Sequence, residues 1–448
     1  MKNLTQGNIY KNFILFAIPM VFAALLSQGY NMIDTIIAGK FLGSDGLASI
    51  GTTAAFISFV SGFFWGFASG ASIFTASLFG AQEYTKIKSA IYHNLVSTVV
   101  MAALLCTAVI IFCDDILRLL RVDPEIFAQA KIYFIIYMGG LFLILLNNSF
   151  VHIMNSFGLS SFPLFMSILS AVLNIVGNIL AVTVFDFGVA GIAWSTVLSA
   201  LIVDICYFLR LRSCFCEIGV LKLRVKFDKR ILRKIFSYAM PTAMQQEIMY
   251  TSTMLISPLV NGLGSAASAS YTVIMRIYEI NAGIYQNSAK TLSNYAAHCR
   301  GSRVPVSYFK KGVRVGFLQG LIFLAAPLLI CSVFAEEVSG LFFPSGFSGE
   351  ALNYTIIFAR VYLPFIVFNV INNLFHSFYR GTASMRLLVS LTAIGSASRL
   401  IFTVMLLKYG MHGVFMGWVL SWIFEAVAAL ATYLFGMWKK DALADYIK

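Results

Sequence analysis

Residues 46–82 read GLASIGTTAAFISFVSGFFWGFASGASIFTASLFGAQ, 37 positions without a charged side chain. A transmembrane helix needs about 20 mostly apolar residues. At ~1.5 Å per residue this stretch outruns a ~30 Å hydrocarbon core, so its helix is expected to tilt or to project from the membrane. The whole chain has the same character. Of its 448 residues, 59% are apolar and 11% charged, against roughly 25% charged in soluble domains. That composition argues for an all-α membrane protein.

Working outward from 46–82, apolar runs broken by charge, Gly, Pro or polar clusters predict twelve spans. They lie at 13–37, 47–78, 91–113, 131–155, 162–184, 189–209, 235–260, 266–296, 313–334, 355–378, 386–407 and 413–436. The opening, with Lys2 before an apolar run, has the outline of a signal peptide. It is read instead as a retained first helix, because a similar opening recurs in mid-chain.

The net charge of +13 suggests nucleic acid at first sight, but the distribution of the charges explains it better. With the N-terminus inside, 23 of the 32 Lys and Arg residues fall in cytoplasmic segments, nine of them between 210 and 234. Arg300 and Arg380 are counted in that set. The bias follows the positive-inside rule and places both termini on the cytoplasmic side.

The halves repeat. IYKNFILFAIPM (9–20) matches ILRKIFSYAMPT (231–242), LNNSF (146–150) matches INNLF (371–375), and FGVAGIAWSTVLS (187–199) matches YGMHGVFMGWVLS (409–421). The offset between partners stays nearly constant from the first pair to the last. Six helices is an even number, so both halves enter from the same face as a parallel repeat with its pseudo-two-fold axis along the membrane normal. Such repeats mark secondary transporters, whose sites lie near midplane. The expected organisation is an N-lobe over 1–209, a basic cytoplasmic linker over 210–234, a C-lobe over 235–438 and a cytoplasmic tail over 439–448.

Departures from the repeat point to chemistry. Asp34 stands where the second half has Ile256, and Asn174 where it has Arg399. Tyr30 lies one turn before Asp34. Asn174 and Asn178 share a helix face, and the next span offers Thr196. A carboxylate, two amides, a hydroxyl and a phenol suit a proton or a hard cation such as Na⁺. Asn and Thr also act as glue between helices, but an intramembrane acid is a functional candidate by default. The second half offers Glu247, Arg276, Glu279, Asn287, Lys290 and Arg399 as substrate or cavity residues. On the eighth span Arg276, Glu279, Gly283, Asn287, Lys290 and Asn294 form one polar stripe. An ion pair that only fixes the lobe is an equal reading for Arg276 and Glu279. His152 and His376 are read as hydrogen-bonded packing residues. Asp204 is read as close enough to its helix end to snorkel.

Seven cysteines without paired spacing read as unpaired thiols. No Walker motif and no catalytic cluster is present, so no catalytic residue, bound metal or cofactor is expected. The sequence implies no nucleic acid and no obligate protein partner. The expected partners are small organic molecules and membrane lipid.

These features together resemble the multidrug and toxic compound extrusion (MATE) family, within the larger group that includes lipid-linked oligosaccharide flippases. The resemblance spans essentially the whole chain. It rests on IPMVFAALLSQGYNMIDTIIAGKFLGSDGLASIG, FGAQEYTKIKSAI, NIVGN followed by FGVAGIAWSTVLS, and the double repeat. It implies an antiporter in the plasma membrane of a prokaryote that exports amphipathic, often cationic compounds in exchange for H⁺ or Na⁺. By the resemblance, Asp34 is the N-lobe coupling site and Tyr30, Asn174, Asn178 and Thr196 support it. The chain departs from the pattern in two places. Many relatives carry an acid at the position of Asn178, and an acid of the tenth helix is absent between Val361 and Arg380. Glu247 is set against an early glutamate of the seventh helix in some relatives. The rival reading is a flippase for lipid-linked oligosaccharides.

Overall fold

The computed structural model describes residues 1–343 and 349–444, apart from the side chains of Gln28, Tyr30, Asn31, Met32, Asp34, Thr35 and Ala55. Among the described residues every regular element is helical. The first hydrogen-bonded run, Ile9–Gly80, is two helices, because Gly43 interrupts it at φ 70°, ψ −165°. That region of backbone space is essentially open to glycine alone. Residues 44–80 form the second helix, ~55 Å long at ~1.5 Å per residue. It therefore exceeds a bilayer core, as expected of the charge-free stretch.

Ten further long helices follow. They are Tyr84–Ile111, Phe127–Ser156, Ser161–Thr183, Gly188–Glu217, Lys229–Asn261, Ser265–Gly301, Val306–Val333, Glu350–Gly381, Met385–Leu406 and Gly410–Leu434. Among the described residues the chain is thus an all-α, multi-pass membrane protein with twelve long helices. Among the described residues nine segments are long and apolar enough to cross a membrane, and one of them, Met385–Leu434, contains both the eleventh and twelfth helices. The seventh and eighth helices have the length, 33 and 37 residues, but carry the charged candidates of the second half. The tenth helix passes through a π turn at Phe358–Tyr362 and a 3₁₀ turn at Leu363–Phe365. Pro364 lies in that tightened turn and brings no N–H to the ladder.

The repeat is visible in the turns. Left-handed backbone occurs at Gly43 and Gly264, Gln82 and Arg303, Gly158 and Ala383, and Gly188 and Gly410. Each pair is separated by the same nearly constant offset that relates the sequence repeats.

The helices pack as two compact units, Met1–Asn3 with Phe22–Ala243, and Leu4–Val21 with Met244–Lys448. The change of unit falls after Val21 and after Ala243, at matching places inside the first and seventh helices, and not in the 210–234 connection where the lobe boundary is expected. The reason lies in packing. In the second unit Phe13, Phe16 and Met20 share an apolar cluster with Leu292, Tyr295 and Phe378. Phe13 meets Tyr295 edge to face with centroids 5.1 Å apart. The Leu4 N–H donates to His298 Nδ1 at 3.1 Å. A second cluster of this unit gathers Ile256, Ile274, Phe358, Val414 and Trp418.

The core of the first unit gathers Phe64, Ala102, Phe134, Leu145 and Ile192. The connection to the second repeat is shorter than 210–234, because the sixth helix continues to Glu217 and the seventh starts at Lys229. Lys88 Nζ donates to the carbonyls of Val220, Leu221 and Leu223 at 3.1, 2.7 and 2.7 Å. His93 Nε2 accepts the Asp228 N–H at 2.9 Å. The linker is thus tied down within the first unit.

Candidate functional site

The fifth and sixth helices of the first unit approach closely at Gly177, where an added Cβ would stand 3.1 Å from Ser195. This proximity lets short polar side chains meet. Asn178 Nδ2 donates to Asn174 Oδ1 at 3.2 Å, and Asn174 Nδ2 donates to Thr196 Oγ1 at 3.0 Å. The Thr196 hydroxyl donates in turn to the Ile192 carbonyl at 3.1 Å. Asn174 and Asn178 are buried, at 2% and 0% exposure. The result is a directed hydrogen-bond string whose amide oxygens are held in place. The structure brings together Asn174, Asn178 and Thr196 of the coupling-ion candidates. The side chains of Asp34 and Tyr30 lie outside the described residues.

The six candidates of the second unit do not form one cluster. Arg276 and Glu279 make an exposed i,i+3 ion pair at 3.3 Å. Such a pair is worth little in stability. Lys290 Nζ donates to Asn287 Oδ1 at 2.6 Å, and Asn287 Nδ2 to the Gly283 carbonyl at 2.7 Å. Arg399 bridges from the eleventh helix to the seventh. Its guanidinium donates to Ser252 Oγ at 3.2 Å and Thr253 Oγ1 at 3.1 Å. Both carboxylate oxygens of Glu247 are covered and have no hydrogen-bond partner among the described residues. The stripe on the eighth helix therefore runs from exposed Arg276 to buried Asn294, and its members find separate partners.

Three other charged residues are buried. Arg300 and Arg380, assigned to cytoplasmic segments, are buried at 5% and 6% exposure. Arg300 Nε donates to the Asp441 carbonyl at 3.2 Å, and Arg380 Nη2 to Gln245 Oε1 at 2.8 Å. Each lies at a helix end, but an acceptor on a neighbouring segment draws it inward. Asp204 does not snorkel; it is 6% exposed.

A cavity in the second unit is lined by Tyr278, Asn369, His376, Arg399, Trp422 and Glu425, among others. Of the six candidates only Arg399 lines it. The cavity residues outside the six candidates, His376 among them, carry a signal in the sequence. Asn369, Asn373 and His376 recur at steps of four and three on the tenth helix and so share a face. Asn369 Nδ2 donates to Tyr278 Oη at 2.8 Å, and Tyr278 stacks on Trp422 with centroids 6.0 Å apart.

The MatE family model matches residues 19–180. Similar proteins include two from Bacillus subtilis (strain 168), the probable multidrug resistance proteins YoeA and YpnP. YoeA is 24% identical over 75% of this chain and 74% of its own length. YpnP is 24% identical over 98% of this chain and 97% of its own. Among solved structures, a MATE transporter in complex with MaL6 superposes with TM-score 0.90 at 21% identity over 99% of both chains. A MOP superfamily transporter from Pyrococcus furiosus, described as having a binding pocket of reversed polarity, superposes with TM-score 0.88 at 20% identity over 99% of both chains. Residues 19–180 thus match the MatE family model, and the whole length of the chain has the fold of solved MATE proteins.

Proposed function

We propose that the chain is a secondary active antiporter that exports amphipathic, cationic organic compounds in exchange for H⁺ or Na⁺ by alternating access. It works in the cytoplasmic membrane of a prokaryote with both termini inside, needs no cofactor, and has organic molecules and membrane lipid as its partners. The observation that carries the reading is the Asn178–Asn174–Thr196 string buried in the first unit. Such a string also glues helices together, but it lies in helices that the family resemblance pairs with Asp34. Uptake of the ion at Asp34 changes the charge of the site. If the cargo prefers one arrangement of the protein, the ion gradient then drives export by population shift. The multidrug resistance names of the relatives support the same reading.

A second reading, transport of an anionic or lipid-linked cargo, is favoured by one observation. Lys290, Arg380 and Arg399 place basic groups inside the second unit, and guanidinium groups suit phosphates. Reconstitution into proteoliposomes with imposed pH or Na⁺ gradients tests the first reading. Ethidium should leave against its gradient, and only when an ion gradient is present. Rescue of a flippase-deficient strain without any export of ethidium would decide for the second reading.

A further inference from the structure

Glu425 lies on the twelfth helix at 8% exposure. Its carboxylate is held by two donors from the tenth helix. His376 Nε2 stands 2.9 Å from Oε1, and Asn372 Nδ2 donates to Oε2 at 3.2 Å. Opposite, on the eleventh helix, Gly395 leaves room for the carboxyl group, which an added Cβ would strike. His376 is itself buried, and its other ring nitrogen, Nδ1, has no hydrogen-bond partner among the described residues. His376 and Glu425 both line the cavity of the second unit. The first unit carries Asn147 at the place that matches Asn372, and His152 and Asp204 one residue beyond the places that match His376 and Glu425. An amide, a histidine and an acid thus recur on its fourth and sixth helices.

We propose that His376 and Glu425 form a proton-binding site of the second unit, separate from Asp34. In one state the neutral imidazole donates Nε2–H to the carboxylate, and the pair carries a charge of minus one. A proton arriving through the cavity bonds to the lone pair on Nδ1. The imidazolium–carboxylate pair is then neutral overall, and release of the same proton restores the first state. A metal cation fits less well. Hard cations need oxygen ligands, and both oxygens of this carboxylate already face N–H donors. Other groups that face the pair are Arg399 from the eleventh helix and Tyr278 and Tyr285 from the eighth. The seventh helix contributes uncharged Met249. Arg399 is held by Ser252 and Thr253, which leaves the carboxylate to the imidazole. That this proton is exchanged during transport rests on the antiporter reading; that it binds does not.

The test therefore separates binding from transport. Purified protein carrying ¹⁵N-labelled histidine is followed by NMR from about pH 5 to about pH 8, the range in which histidine changes charge. The His376 ring, identified by its loss in His376→Gln, should change protonation state across that range. The same titration in Glu425→Gln should shift its midpoint. If His376→Gln does not fold, Glu425→Gln identifies the signal by that shift. A ring whose state is constant overturns the proposal. For transport, proton release on adding ethidium is read with a pH indicator. Wild type and Asp34→Asn should both release the proton of the second unit, and His376→Gln should release roughly one fewer than wild type. Equal release from His376→Gln and wild type overturns the exchange step. A titrating ring in a protein that moves ethidium only under a Na⁺ gradient confirms the binding site and refutes its part in transport. Failure of wild type to move ethidium under either gradient counts against the antiporter reading.

Discussion

Asn174 is the middle member of the string in the first unit, and replacing it by leucine keeps the volume while removing its side-chain bonds to Thr196 and Asn178. One runs to Thr196 at 3.0 Å and one comes from Asn178 at 3.2 Å. Hydrogen bonds between membrane helices average about 0.6 kcal/mol, with a maximum of about 1.7. Two such bonds give a loss of about 1 kcal/mol, rising toward 3 if the Asn178 donor is left stranded. Thr196→Val removes the first bond together with the hydroxyl's own bond to the Ile192 carbonyl, and should cost about 1 kcal/mol. The two losses must not add, because the bond they share can be broken only once. The double variant should therefore be more stable than the sum of the single effects by about 0.6 kcal/mol. Denaturant unfolding of the four proteins in one detergent measures this coupling, and ethidium export from cells measures the functional effect. Strict additivity, together with wild-type export by Asn174→Leu, would refute the reasoning that this string is both real and used.

Asp34→Asn should abolish ion-coupled ethidium export while leaving near-normal amounts of protein in the membrane; export at the wild-type rate under the same gradient contradicts its assignment as coupling residue. Cys216 is exposed and Cys214 is buried, so an impermeant maleimide should label Cys216 alone, and only from the cytoplasmic side. Labelling of intact cells would invert the topology. Gly43→Ala and Gly264→Ala should each cost about 1–3 kcal/mol of stability through backbone strain, since no atom lies within 4 Å of an added Cβ at either position. Unchanged unfolding midpoints would show that the two turns relax freely.

Much of the fold was legible because lipid leaves the backbone few options. Every N–H and C=O in the bilayer must be paired, which forces helices, and long uncharged runs such as 46–82 then mark where they lie. The repeat was legible because Pro19 and Pro241, and the two Asn-Asn pairs, keep their spacing. What the sequence hid is partnership. The apolar face of Phe13, Phe16 and Met20 says that something packs there, but periodicity does not name Tyr295 and Phe378 as the neighbours. Arg380 reads as a loop charge from its place at a helix end, and only the fold reveals Gln245 beside it. Asn174, Asn178 and Thr196 were readable because two of them share one helix face and the third lies on the next helix. His376 and Glu425 stand far apart in the chain, on helices that also carry other polar groups, and gave no periodic hint of their contact.

The sharing of the first helix between units has a consequence for biosynthesis. Leu4–Val21 belongs with Met244–Lys448, yet it leaves the ribosome before the rest of that unit. At roughly 5–20 residues per second, the rest of that unit takes on the order of 20–85 s to be made. For most of this interval Phe13 and Phe16 are without Phe378, so the membrane or an insertion factor must shelter them. Lys229–Ala243 has the opposite fortune, since the unit it completes is already synthesised when it emerges. A chain severed between 218 and 228 would therefore yield two fragments, each holding a piece of the other's core. Neither would fold alone, and co-expression would be required to recover the transporter.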